Sequence, residues 1–210
     1  TIGFYFQNTE KSKSVYNYNG LITMILHNYI RHKTGDNYKV LLNKIFQNKV
    51  KNEYNVQFVE MNSGSEEWGI GHSMVRLTRH DWLRLAKAMM DDYQNNTCVG
   101  KYLKEIHERR IPKNLHGKMQ AGGNKKYAEP EFNRTKSYGG QFHFDYPGLK
   151  NRTVFGLGGR GGNAILIDVE NSRIVVINSI QYNDGKYKYN VKKLLIDPIK
   201  NGREINWKLN

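Results

Sequence analysis

Residues 156–169, GLGGRGGNAILIDV, join a glycine cluster directly to an apolar run. Five of the seven residues from Gly156 to Gly162 are glycine, which lets the backbone approach a neighbour or a ligand closely. The aliphatic residues behind them predict a buried strand. A second apolar run at residues 173–177 follows the polar residues 170–172. Together these features predict a β-hairpin with a short turn.

Two interpretations of the glycine cluster remain open at this point. The glycines can expose backbone N–H groups toward a ligand, or they can permit a bulge or tight bend where strands pack. On these residues alone the packing interpretation is favoured. The remaining sequence has to decide between the two.

Composition indicates a globular protein, because 38% of the 210 residues are hydrophobic and 12% are aromatic. The length fits one large domain or part of one. The net charge of +14 suggests nucleic acid, an anionic membrane surface or an anionic cell-wall polymer as partner. However, Lys and Asn are spread along the whole chain and no basic block dominates, so nucleic acid is not favoured.

The single cysteine, Cys98, has no partner for an internal disulfide and lacks the spacing of a zinc site. We predict that it is a buried structural thiol and not a nucleophile. The sequence contains no apolar stretch of transmembrane length and no signal peptide.

Apolar periodicity predicts four helices before the strands begin. The first ends at Thr34-Gly35, where Gly35 is suited to a left-handed conformation. Thr78 and Asp81 form a capping pattern at the start of the third, whose methionines we expect in the core. Pro112 is expected to end the fourth helix. The predicted ranges are Gly20–Lys33, Tyr38–Gln47 with Val40, Leu41, Leu42, Ile45 and Phe46 inward, a helix from Thr78, and Gly100–Arg109.

Strands are predicted mainly after a long exposed loop at residues 111–136. A final helix is predicted at Tyr187–Ile196, with Pro198 as its breaker. Helices followed by antiparallel strands indicate an α+β fold. We expect one domain over residues 1–210, with a helical part at about 16–110 and a sheet part at about 137–182. The predicted strands are Val56–Met61, Tyr138–Asp145, Thr153–Gly156 and the hairpin.

Three separated pieces of sequence carry a family resemblance. The first is Tyr18-Asn19-Gly20, which opens the helix that closes with Thr34-Gly35. The second is Arg79-His80-Asp81-Trp82-Leu83-Arg84-Leu85. The third is Tyr138-Gly139-Gly140-Gln141-Phe142, followed by Gly159-Arg160-Gly161-Gly162-Asn163 and the hairpin. In this order they resemble the superfamily of serine β-lactamases and penicillin-binding proteins, most closely its branch of esterases and 6-aminohexanoate-oligomer hydrolases.

The resemblance implies a β-lactamase/transpeptidase-like α+β fold and a set of site residues. Tyr18 matches the tyrosine that helps to move a proton at the nucleophile, with Tyr16 as competitor if the register slips. The backbone N–H of Arg160 matches half of an oxyanion hole, a role that depends on geometry and not on the side chain. Gly20 stands where many relatives carry Asn or Ser, so a side-chain donor to substrate is missing there. The remaining implied substrate-binding residues are Gly159, Gly161, Gly162 and Asn163.

The sequence departs from the family at the nucleophile. Family members attack with the Ser of a Ser-x-x-Lys motif on an earlier helix, and no such spacing occurs in this chain. Ser73-Met74-Val75-Arg76 has arginine in the last place, and arginine does not lose its proton. The sequence therefore matches the C-terminal part of such a protein, without the nucleophile helix.

These observations favour a β-lactamase-related serine hydrolase of esters or amides that acts through an acyl-enzyme and whose nucleophile motif this chain lacks. The alternatives are a non-catalytic binding module of the same fold and, less favoured, a basic nucleic-acid-binding protein. No metal or organic cofactor is implied. The expected partner is a small-molecule or peptide-like ester or amide, and the resemblance suggests the periplasm or cell envelope.

Two further side chains are assigned by pattern alone. His143 lies in a strand pattern between Phe142 and Phe144, and we predict that it faces the surface. Trp68 is compatible with both a pocket wall and a hydrophobic plug.

Overall fold

The computed structural model describes residues 20–61, 72–113, 135–149, 151–159, 163–178 and 192–202. The fold is α+β, as the order of elements predicts. The helices are α1 (Gly20–Thr34), α2 (Tyr38–Ile45, continued as a π-helix over Phe46–Val50), α3 (Arg79–Gln94), α4 (Cys98–Glu108) and α5 (Asp197–Asn201, preceded by a π-helix over Lys192–Ile196). The strands are β1 (Gln57–Met61), β2 (His72–Arg76), β3 (Ile111–Pro112), β4 (Ser137–Gly139), β5 (Phe142–Phe144), β6 (Val154–Gly159), β7 (Asn163–Asp168) and β8 (Arg173–Ile177).

Strands β3 to β8 form one antiparallel sheet in which each strand pairs with the next along the chain. The predicted hairpin is confirmed, since β7 and β8 pair from Ala164 with Ile177 to Asp168 with Arg173. The glycine-rich stretch is itself part of the sheet, because β6 pairs with β7 as far as Gly159 with Asn163. A separate hairpin of β1 and β2 lies outside this sheet.

The sheet is covered by helices on both faces. Side chains of α3 and α4, among them Met90 and Leu103, pack on one face with Phe155, Ile165 and Ile167. The C-terminal residues Leu195, Ile196 and Ile199 pack on the other face with Val154 and Leu166. Because successive residues of a strand point to opposite faces, every residue of β7 after Asn163 is buried.

The predicted cap of α3 is confirmed. The backbone N–H of Asp81 donates to Thr78 Oγ1 at 3.1 Å, and the Thr78 hydroxyl donates to the Asp81 carboxylate at 2.9 Å. Asp81 is buried and also accepts from the backbone N–H of Glu53 and from Arg84. This carboxylate therefore fixes the chain after α2 to the start of α3.

Several predictions at element boundaries are wrong. Residues 138–145 form a hairpin of β4 and β5, because Gly140 and Gln141 both take positive φ angles and turn the chain. The sequence pattern missed β2 altogether. Pro198 lies in the first turn of α5, where its missing N–H costs nothing, so it begins that helix and does not break one. Cys98 is exposed at the first residue of α4, which Thr97 caps.

The two helices near the start of the chain pack less completely than their periodicity predicts. Gly35 takes the expected left-handed conformation after α1, with φ of +61°. However, of the apolar side chains that we expected to point inward from α2, Val40, Leu41 and Ile45 are exposed, whereas Leu42 and Phe46 are half-buried. Tyr38 is the buried residue of α2, and its ring contacts His27 and Phe58 edge to face.

At Gly156, within the glycine-rich stretch of residues 156–169, the packing of the sheet requires glycine. A Cβ atom built there would lie 2.6 Å from the carbonyl oxygen of Ile165 and closer still to the hydroxyl of Tyr146. Tyr146 is buried in the core on the α5 side of the sheet. At Gly156 the structure therefore supports the packing interpretation.

We expect Gly156→Ala to lower the free energy of unfolding by about 3 kcal/mol, because neither the backbone of β7 nor the buried Tyr146 ring has room to move. Urea denaturation followed by circular dichroism measures the change. Adding Tyr146→Phe to this variant should recover part of the loss, because it removes the closest atom.

Gly148→Ala is the control for backbone conformation. Gly148 has φ of +79°, and no atom lies within 4 Å of a Cβ built there. The substitution should therefore lower the free energy of unfolding by only about 1 kcal/mol. Equal losses at the two glycines would contradict the packing argument.

Candidate functional site

The first and third pieces of sequence that carry the resemblance meet at one end of the main sheet. Strand β6 ends there at Gly159, opposite Asn163 at the start of β7. The antiparallel pairing of His143 with Gly156 brings the Gly140–Gln141 turn to the same end. The first turn of α1 contacts the Gly140–Gln141 turn through a hydrogen bond between Thr23 and Gln141. We call these residues the glycine end of the sheet.

Gln141 joins α1 to the sheet. Its Oε1 accepts a hydrogen bond from the Tyr138 hydroxyl at 3.0 Å and another from the Thr23 hydroxyl at 3.4 Å. Thr23 lies three residues into α1, close to Gly20. The contact therefore links residues 118 positions apart in sequence.

The predicted site residues are located as follows. Gly20 is the first residue of α1, Gly159 is the last residue of β6, and Asn163 is the exposed first residue of β7. Tyr18, Arg160, Gly161 and Gly162 lie outside the described residues, as does Trp68. The described structure thus brings the start of α1 and the glycine-rich strand to one region.

A buried polar cluster lies behind the turn. Lys113, Thr135 and His143 are all buried. Lys113 Nζ lies 2.6 Å from Thr135 Oγ1 and 2.7 Å from His143 Nδ1. The ring of Tyr138 contacts the His143 ring edge to face, so the cluster is continuous with the Tyr138–Gln141 contact. The prediction that His143 faces the surface is wrong.

His143 is held as a neutral imidazole. Burial is the main cause, and the charge of Lys113 adds to it; together they lower its pKa from 6.5 to about 3. An imidazole that accepts at Nδ1 carries its proton on Nε2, so this side chain is a hydrogen-bond acceptor toward Lys113. The cluster links the residue after β3 to β5, and its His143 ring packs against the Tyr138 ring.

Four described side chains at the glycine end are hydroxyls or amides: Thr23, Tyr138, Gln141 and Asn163. Such groups bind and orient a polar ligand by hydrogen bonds, and they do not supply a nucleophile with its base. Across the described ranges, no group of three or more His, Cys, Asp and Glu residues is placed to hold a metal ion. In the same ranges no helix combines the length and apolar character needed to span a membrane.

Sequence reasoning missed Lys113, Thr135 and His143 as a cluster. Thr135 and Lys113 flank a segment that composition marks as loop, and their contact joins positions 22 residues apart. The Gly140–Gln141 turn does carry a signal in the sequence, because paired glycines between aromatic residues are typical of a hairpin turn.

No protein-family model matches the chain, and neither a curated protein nor a solved structure matches it. The resemblance therefore stands on the sequence motifs alone.

We expect the free energy of unfolding to fall by on the order of 2 kcal/mol between pH 6.5 and pH 5 because of His143. Its pKa is lower in the folded state, so the unfolded chain binds the proton first as pH falls through 6.5. Urea denaturation over this pH range measures the slope, and His143→Gln should flatten it.

Other groups with shifted pKa values also contribute to the pH dependence of stability. His107 adds a slope of the same sign, because burial and Arg110 lower its pKa, and it remains in both proteins. Burial opposes a lower pKa at Asp81 and Asp145, yet their hydrogen bonds prevail, so they lose stabilisation only below about pH 3.8. His80→Gln, at an exposed position of α3, is the control. An unchanged slope in His143→Gln would contradict the assignment.

Proposed function

We propose that this chain is part of a β-lactamase-related serine hydrolase that cleaves ester or amide bonds through an acyl-enzyme. Its fold would be the β-lactamase/transpeptidase-like form of the α+β class. The Ser-x-x-Lys nucleophile motif is absent from this sequence. In the proposal that motif comes from sequence beyond the chain.

One observation carries the proposal. The start of α1 and the Gly140–Gln141 turn are linked across 118 residues, and this turn lies at the same end of the sheet as the glycine-rich end of β6. The first and third pieces of the resemblance, which it assigns to a single active site, therefore lie together. Chance similarity of two pieces so far apart in sequence gives no reason for them to meet.

The chemistry follows from the residue types. The serine hydroxyl would add to the carbonyl carbon while the lysine accepts its proton, and Tyr18 would share in the proton transfer. The negative oxygen of the tetrahedral intermediate would accept from the backbone N–H of Arg160. Collapse expels the alcohol or amine with a proton, and water then releases the acid from the serine. Flanking glycines at 159, 161 and 162 would let the acyl group approach the strand.

The second candidate is a non-catalytic binding module of the same fold. The observation that favours it is the missing Ser-x-x-Lys motif together with neutral hydrogen-bonding side chains at the glycine end. Such a module would bind an ester or amide without cleaving it.

We expect the 210-residue chain to show no hydrolysis of p-nitrophenyl butyrate, benzylpenicillin or the linear 6-aminohexanoate dimer above the buffer rate. A protein extended by the upstream coding sequence should hydrolyse at least one of them and should be labelled at one serine by a fluorophosphonate. Turnover by the chain alone would contradict the assignment of the nucleophile. An upstream sequence without Ser-x-x-Lys would leave the binding module as the better function.

In the extended protein, Tyr18→Phe should lower kcat by about 100-fold, because the phenol hydroxyl takes part in proton transfer. Tyr16→Phe is the matched control two residues away and should retain the wild-type kcat. Steady-state kinetics with the best substrate measures both. The reverse pattern would shift the motif to Tyr16, and full activity in both variants would remove tyrosine from the mechanism.

A further inference from the structure

We propose that Gln141 is a substrate-binding residue whose side-chain amide donates a hydrogen bond to a neutral carbonyl of the substrate. This inference rests on the proposed function and names a contact that the motifs do not assign. It also supplies the donor that Gly20 cannot provide. The structural basis is the position of Gln141 between α1 and the glycine-rich end of β6.

The two hydroxyl contacts fix the orientation of the carboxamide. Tyr138 and Thr23 both donate to Oε1, at 3.0 and 3.4 Å. The N–H groups on Nε2 are directed away from these hydroxyls, and within the described ranges no acceptor contacts them. A half-buried amide with its oxygen held and its nitrogen available is a preorganised donor.

The backbone of Gln141 is held in an unfavourable conformation. Its φ of +72° lies in the left-handed region, which costs a residue with a Cβ about 1–2 kcal/mol. Glycine would remove this cost, and the two preceding residues are glycines. The chain therefore carries a side chain at a position where the backbone alone would favour glycine.

The location of Gln141 matches the requirement for a substrate contact. The pairing of His143 with Gly156 and of Gly159 with Asn163 brings the turn, the end of β6 and the start of β7 together. In the proposed mechanism the substrate binds at the glycine end of the sheet. A donor on the Gly140–Gln141 turn, at this same end, is suited to a polar group of that substrate.

The chemical class of the ligand follows from the surroundings. The described side chains that contact the Gln141 amide are the neutral hydroxyls of Thr23 and Tyr138, whereas the opposite end of β7 carries the buried Asp168 paired with Arg152. Neutral donors and acceptors favour a neutral amide or ester over an ionised group. We therefore expect preference for acyl compounds that carry a second carbonyl, as in a peptide-like amide.

The test uses the 210-residue chain and phenylacetylglycine methylamide, a neutral probe with two carbonyls. Heteronuclear NMR titration should show a shift of the Gln141 side-chain N–H₂ signals and give the Kd. Gln141→Glu keeps the shape and still accepts from both hydroxyls, but it offers no donor. It should raise Kd at least about 10-fold while the Tm remains within about 2 °C of wild type.

Gln57→Glu is the matched control, because Gln57 is exposed on β1 and undergoes the same change of charge. It should bind like wild type. Thr23→Val removes one of the hydroxyls that orient Gln141 and should raise Kd by about threefold. If Gln141→Glu is poorly folded, the N–H₂ shifts and the Thr23→Val result still test the proposal.

The outcomes are distinguishable. Wild-type binding that is unchanged in Gln141→Glu and Thr23→Val would overturn the role of Gln141 and leave the proposed function intact. A change in Tm without a change in Kd would make Gln141 a structural link only. Absence of binding by the wild-type chain would overturn both this inference and a preformed substrate site at the glycine end.

Discussion

Strand β7 is buried on both faces, and this constraint determines the rest of the fold. Leu166 faces the core with α5, and Ile167 faces the core with α3 and α4. Each such side chain contributes roughly 1.5–3 kcal/mol when it is removed from water. A strand of this kind is stable only between two helical layers. The positions of α3, α4 and α5 therefore follow from the same run that makes the hairpin recognisable in the sequence.

Burial on both faces leaves the two ends of the sheet for polar groups, and the two ends differ in chemistry. At the β7–β8 turn, the buried Asp168 pairs with Arg152 and accepts from the backbone N–H of Asn171, while Arg173 donates to the carbonyl of Lys200 at the end of α5. Charged groups at this end pair with one another and with backbone carbonyls, and these contacts join the turn to the last helix.

The local features of the fold were predictable from sequence, and the long-range ones were not. Thr78 and Asp81 lie within one turn, and the apolar run of β7 is continuous, so pattern alone identifies the capped helix and the hairpin. By contrast, Lys113 contacts His143 across 30 residues and Thr23 contacts Gln141 across 118 residues, and no local pattern indicates either contact. The sequence pattern also predicted that His143 faces the surface, because the periodicity of apolar residues does not show which polar side chains form hydrogen bonds in the interior.

The glycine end combines close packing with polar contacts, and the two are physically connected. Gly156 leaves room for the Tyr146 hydroxyl in the core, and it pairs across the sheet with His143, which is buried beside Lys113. The ring of Tyr138 packs on His143, and the Tyr138 hydroxyl donates to Gln141. The packing role of Gly156 in the middle of β6 and the polar contacts of the turn are thus linked through the pair of Gly156 and His143. The packing and ligand interpretations of the glycine-rich stretch are therefore compatible, because they apply to different residues of the same strand.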